Sequence, residues 1–265
     1  MNKGYSLALP TRVHPAVIAV WAAVVAASKL IPTLQVIGTG SRFSFATMIT
    51  PLSGIFFGPI PGALCSAVGG FVGSLIAPHT SVLGLGSFII GTTTAFTAGC
   101  VAWCGWPLIS VSMRGGFVVS GGIIVYLVGV LLWFSQEVGR SIPLFPIVFY
   151  GAGFTAYLIG SLFAGRMLAG KNVALKIPAL WLCSFSGLIG GSVIANFFSL
   201  TLLQIPRDVW LGLTVIAPIE RVVFSVGAAL IGASLLVGLP KIGIFVGPHF
   251  EDYGTELEPP KEPDR

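Results

Sequence analysis

The stretch that decides the fold runs from Phe43 to Met113: FSFATMITPLSGIFFGPIPGALCSAVGGFVGSLIAPHTSVLGLGSFIIGTTTAFTAGCVAWCGWPLISVSM. Its 71 residues include no Lys, Arg, Asp or Glu, whereas one membrane-spanning helix needs only about 17 to 25 apolar residues. Several spans must therefore follow one another. The whole 265-residue chain is 55% hydrophobic and 9% charged, against about 25% charged in an average soluble domain. That excludes a water-soluble globule and predicts an all-α polytopic membrane protein, a bundle of six to eight transmembrane helices over residues 1–240.

Apolar windows bounded by loop residues, interrupted by charge only at Lys29, Arg166, Glu220 and Arg221, place spans at 16–36, 43–57, 60–77, 82–104, 117–134, 145–168, 178–203 and 209–239. The second and third are separated by Gly58-Pro59-Ile60-Pro61-Gly62, where prolines lack donors and glycines permit sharp turning, so a tight Pro/Gly hairpin is expected. The first span is full length and leads into further spans, which argues against a cleaved signal peptide.

The charges are segregated. Six of the nine acids, Glu251, Asp252, Glu256, Glu258, Glu262 and Asp264, lie in the last fifteen residues. Residues 241–265 read as an acidic, Pro-containing cytoplasmic tail with too little apolar surface to offset its ordering entropy, hence disordered. The remaining bases are too scattered for nucleic acid and suit loops beside anionic lipid headgroups. Lys3, Arg12, Arg114, Arg166, Lys171, Lys176 and Lys241 fall on one side; Lys29, Arg42, Arg140 and Arg207 fall on the other. Seven against four predicts cytoplasmic termini in a multi-pass protein of the cell membrane.

Cys65, Cys100, Cys104 and Cys183 sit in apolar stretches without His or carboxylate neighbours, which suits small buried side chains better than a metal site. No cofactor motif, phosphate-cradling Gly-Lys-Ser/Thr loop, nucleophile elbow or paired intramembrane aspartates occur. The chain therefore reads as no enzyme, and any energy from ATP would come through a partner. Aromatic residues such as Trp133, Tyr150, Tyr157, Trp181 and Trp210 could stack on a flat heterocycle, but interfacial anchoring is the default for each.

Helices in lipid gain no hydrophobic drive from meeting each other, so small side chains mark close packing. Gly58, Gly62, Ser66 and Gly70, with Gly69 and Gly73, mark the third span; Gly187 and Gly191 mark the seventh, and Ala228 and Gly232 the eighth. The first carries Ala19, Ala23 and Ala27 on one stripe, with Ala22 and Ala26 beside it. On a terminal helix that stripe leaves room for a partner protein.

Charged groups at membrane depth cost several kcal/mol unless they pair or face water. Ala217-Pro218-Ile219-Glu220-Arg221 lies inside an apolar stretch longer than one span needs. Starting the last helix at Pro218 relieves that cost: proline suits the first turn, Glu220 meets the positive end of the dipole, and 209–217 becomes an interfacial segment. Glu220 and Arg221 then face a cavity or partners, or serve as cap and snorkelling group. Arg42, in an outer loop, suits a headgroup or an anion; His79, in the next outer loop, is a structural or binding residue; Asn196 must hydrogen-bond within the bundle or contact substrate. These candidates lie toward the outer half, which suggests a pocket open outward. Gln136, Glu137 and Arg140 read as solvated surface.

Met48 to Leu64, running on through Gly69-Gly70-Phe71-Val72-Gly73-Ser74 to Pro78, resembles the second and third helices of substrate-binding S components of energy-coupling factor transporters, importers within the ABC superfamily. The stripe Ala19, Ala23, Ala27 is similar to their small-residue contact with the transmembrane T component, and Gly187 to Asn196 with Pro218 to Arg221 resembles their last two helices. The likeness covers residues 16–78 and 180–239. It departs in two ways: such proteins usually have six spans, leaving 117–168 as an addition, and their third helix often ends with an acid where Gly73-Ser74 stands.

The resemblance implies a bundle that captures a vitamin-like small molecule outside, through residues such as Arg42, His79, Asn196, Glu220 and Arg221. It would then dock onto a T component bearing two cytoplasmic ATPases and topple to deliver its ligand inward. A non-transporting membrane scaffold and a stand-alone carrier using Glu220 for protons are the alternative readings.

Overall fold

A computed structural model describes residues 14–36, 41–104, 113–170 and 172–248, with side chains left undescribed at 113–118. Among the described residues it is an all-α polytopic membrane protein with nine α-helices: α1 (Pro15–Ser28), α2 (Ala46–Phe57), α3 (Pro59–Ile76), α4 (Ser87–Ala102), α5 (Met113–Ser135), α6 (Glu137–Ser141), α7 (Leu144–Ala169), α8 (Val173–Thr201) and α9 (Arg207–Gly238). Residues Pro59–Ile76, Gly84–Ala102, Leu144–Ala169, Val173–Thr201 and Arg207–Ile242 are long and apolar enough to cross a membrane; Pro15–Ser28, Ala46–Phe57 and Val119–Ser135 are shorter apolar helices. The helix α8 is central, packed against α4, α5, α7 and α9, while α1 packs on α3 at the periphery.

The first span differs from expectation. The helix stops at Ser28, and Pro32–Gln35 (β1) pairs antiparallel with Arg42–Ser44 (β2). Pro32 explains the stop, because its ring disfavours helical backbone in the residue before it. The hairpin is closed at its base by Phe45 N donating to Ile31 O at 2.9 Å. Gly38, Thr39 and Gly40 of the expected loop lie outside the described residues.

The turn between α2 and α3 is tighter than the five-residue separator expected. Only Gly58 lies between the helices, at φ 91° and ψ 170°, and Pro59 and Pro61 fall in the first turn of α3, where a missing donor costs nothing. Trp103 seals the turn: its Nε1 donates to Ile55 O at 3.0 Å.

Small residues set the helix spacing. A Cβ on Gly187 of α8 would stand 2.7 Å from Ala98 Cβ and 2.8 Å from Thr94 O of α4, closer than packed atoms allow. Gly69 of α3 lies against the Ala22 carbonyl of α1 in the same way. The buried edge of α1 therefore carries Ala22 and Ala26, and Ala19, Ala23 and Ala27 are exposed on its opposite side.

The last helix begins at Arg207 and not at Pro218, which lies in its interior. Pro206 at the N-cap and Asp208 in the first turn supply an earlier start, so residues 209–217 belong to the same helix. Thirty-two residues make a rod of about 48 Å, longer than the hydrocarbon core, and Glu220 and Arg221 lie well inside it.

The tail expected from residue 241 is partly seated on the bundle, since Leu239–Ile242 forms a 3-10 turn and Gly247 N donates to Phe56 O at 2.9 Å. Residues 249–265 lie outside the described residues. All four cysteines are buried.

Candidate functional site

One cavity runs from an end of the bundle to its middle. Its walls come from the C-terminal ends of α1 and α8, the N-terminal ends of α2, α4 and α7, the first half of α9, the hairpin strand β2, and Ser66 and Gly70 of α3. The space open to the centre of a water molecule is about 170 Å³. Beyond it, toward the opposite end, Ala98, Val101, Phe56 and Leu180 are fully buried and close the core.

Arg42, Asn196, Glu220 and Arg221, widely separated in the chain, all line this cavity. His79 does not: it lies on the short turn Pro78–Thr80 and is exposed. Its neighbour Thr80 lines the cavity instead and ties the turn to α1, its Oγ1 donating to Lys29 O at 3.1 Å.

Arg221 is the most constrained of the four. Its Nε donates to Ser192 Oγ of α8 at 3.0 Å, and its Cζ lies 4.9 Å from the centre of the Phe43 ring of β2. Phe43 is itself braced edge-on by Phe224, with ring centres 5.2 Å apart. Arg221 Nη1 is buried and has no hydrogen-bond partner among the described residues. The charge that would be costly in lipid is thus turned inward, steered by a hydroxyl and an aromatic face.

Asn196 forms the helix-to-helix bond that its apolar setting demands, Nδ2 donating to the Tyr150 hydroxyl of α7 at 3.1 Å. Glu220, half-buried, is the lining's carboxylate. It adjoins Arg221 in sequence, so the two side chains leave the helix in different directions.

Lys29 is a further lining cation that its place at the end of the first span presented only as a topology charge. It is 8% exposed and its Nζ donates to Ser74 Oγ at 2.8 Å, while Ser74 Oγ donates to Gly70 O at 2.8 Å. The Ser74 hydroxyl near the end of α3 thus receives a lysine. With Lys29, Arg42 and Arg221 against Glu220, the lining carries a surplus of two positive charges.

The aromatic wall is also a departure from expectation. Trp133, Tyr150, Tyr157 and Trp210 are all at most 3% exposed, so they are interior residues and not interfacial anchors. Trp181 is half-buried and stacked on Phe185. Trp133 stacks on Phe145 at 4.5 Å and meets Trp210 edge-on at 5.0 Å, and Phe145, Phe149 and Trp210 line the cavity. Trp210 Nε1 and Ser66 Oγ, like Arg221 Nη1, are buried without a hydrogen-bond partner among the described residues. Chemically, the cavity offers donors on a cationic side, an apolar aromatic side and an acceptor at Glu220.

Comparison of the chain with protein-family models, curated proteins and solved structures finds no match.

Proposed function

We propose that this bundle is the membrane-embedded substrate-binding subunit of an energy-coupling-factor-type importer, residing in the cell membrane with both termini cytoplasmic. It captures a vitamin-like small molecule from outside and delivers it inward on docking with a T component and its ATPases, with no ATPase site of its own. The observation that carries this reading is the cavity at one end of the bundle, where Arg42, Asn196, Glu220 and Arg221 converge from β2, α8 and α9. The exposed stripe Ala19, Ala23, Ala27 supports it, since small exposed residues let a partner helix approach closely.

The test is purification of the tagged protein from its native membrane. A T component and ATPases should copurify, and uptake into reconstituted vesicles should require ATP. Recovery without such partners, together with absence of any small molecule in native mass spectrometry, would overturn the reading.

Glu220 on the cavity wall favours a second reading, a proton-coupled carrier acting alone. Uptake driven by a proton gradient without ATP would establish it. A purely structural scaffold is disfavoured, because it gives a charged, partly hydrophilic cavity no purpose.

A further inference from the structure

We propose that the cavity takes a small organic acid, its carboxylate held by the Arg221 guanidinium and its flat apolar body lying against Phe145, Phe149 and Trp210. This names the substrate class of the same site and rests on reading the bundle as a binding subunit.

The inference begins with the donors of Arg221. A guanidinium has five N–H donors in a planar fork. Ser192 engages Nε, and Phe43 covers a face of the group. The remaining edge is Nη1 with Nη2, and Nη1 has no partner among the described residues. A planar edge with two parallel donors matches a carboxylate bidentately. Both buried cations of the lining are steered by hydroxyls, Lys29 by Ser74 and Arg221 by Ser192, and these bonds leave their charges unneutralised. A buried positive surplus of this kind favours an anionic occupant.

Glu220 then narrows the choice. A carboxylate beside Arg221 on the same helix repels a second negative charge on the ligand, which favours a monoanion over a phosphate dianion. The aromatic side presents the apolar edge of an interior cluster to the cavity: Phe145 and Phe149 are stacked with centres 5.2 Å apart, Trp210 meets Phe145 edge-on at 5.1 Å, and all three line the cavity while at most 2% exposed.

The experiment titrates the full-length protein in dodecyl maltoside micelles with benzoate, benzamide and phenyl phosphate, read by calorimetry and thermal shift. Benzoate should bind at least about tenfold tighter than neutral benzamide, a difference of about 1.4 kcal/mol, and phenyl phosphate no tighter than benzoate. Arg221→Gln should abolish the preference for benzoate. Should that variant fail to fold, Arg221→Lys decides the matter: it keeps the charge without the fork and should lose most of the preference.

Equal binding of benzoate and benzamide would overturn the organic-acid inference while leaving a binding cavity in place. Tighter binding of phenyl phosphate would overturn it in favour of a phosphorylated ligand. Displacement of benzoate by phosphatidylserine nanodiscs, but not by phosphatidylcholine nanodiscs, would assign the site to a lipid headgroup. Failure of all three compounds to bind would overturn this inference, and the binding-subunit reading would still stand or fall by its own copurification test.

Discussion

Ser192 of α8 accepts a hydrogen bond from Arg221 of α9 at 3.0 Å, fixing the guanidinium across two helices through residues 29 apart in the chain. Ser192 Oγ in turn donates to Leu188 O, one turn back, at 2.8 Å, so the hydroxyl is held in place before the arginine reaches it.

Ser192→Ala removes that acceptor and leaves Arg221 with a further buried, unsatisfied donor. The expected cost is about 1–2 kcal/mol, read as a lowered midpoint of thermal unfolding in detergent. An unchanged midpoint would show that the guanidinium re-partners without loss.

Much of the bundle is legible in the residues. Every apolar window yields a helix, and Phe57-Gly58-Pro59 marks the α2–α3 turn because φ near +90° and a donorless residue are needed there. The misread elements share a physical cause. Pro218 carries the signature of a helix start, yet tertiary packing holds it inside α9, and the start signal at Pro206–Asp208 prevails. Likewise Ile31-Pro32 lies within an unbroken apolar window, where hydropathy cannot distinguish a strand of a surface hairpin from the end of a span.

Cavity-lining residues were legible where polarity is expensive, at Arg42, Asn196, Glu220 and Arg221, because an apolar background makes each conspicuous. Lys29, Phe145 and Trp210 were not. In lipid both faces of a helix are apolar, so periodicity does not separate the face that looks inward from the face that looks outward. The same ambiguity hides the difference between an interfacial tryptophan and one buried beside a cavity.

Gly58→Ala tests the hairpin. At φ 91° and ψ 170° the backbone occupies a region open essentially to glycine, and a side chain there costs of order 1–3 kcal/mol. The substitution should lower the unfolding midpoint in detergent, whereas Gly151→Ala, which meets open space inside α7, should leave it unchanged or raise it, because alanine favours helix over glycine. Equal midpoints for the two variants would refute the assigned conformation.

Asn196 and Tyr150 should couple. Their bond at 3.1 Å joins α8 to α7, and a double-mutant cycle with Asn196→Leu and Tyr150→Phe should return an interaction of about 0.5–1.5 kcal/mol in unfolding free energy. Additive losses would show that the two side chains contribute independently.

The neighbouring alanines of α1 offer the sharpest separation of fold from function. Ala22 is 8% exposed, with its carbonyl against Gly69. Leucine at this position should force α1 away from α3 and destabilise the isolated bundle by about 1–3 kcal/mol. Ala23, one residue on, faces outward, so Ala23→Leu should change the isolated protein by no more than about 0.5 kcal/mol. If that face receives a T component, the bulk added at Ala23 holds the partner helix away. Copurification of the ATPases should then fall while benzoate binding stays at the wild-type level. Loss of copurification in Ala22→Leu alone would place the docking surface elsewhere, because disruption of the bundle, and not of its exposed stripe, would then account for it.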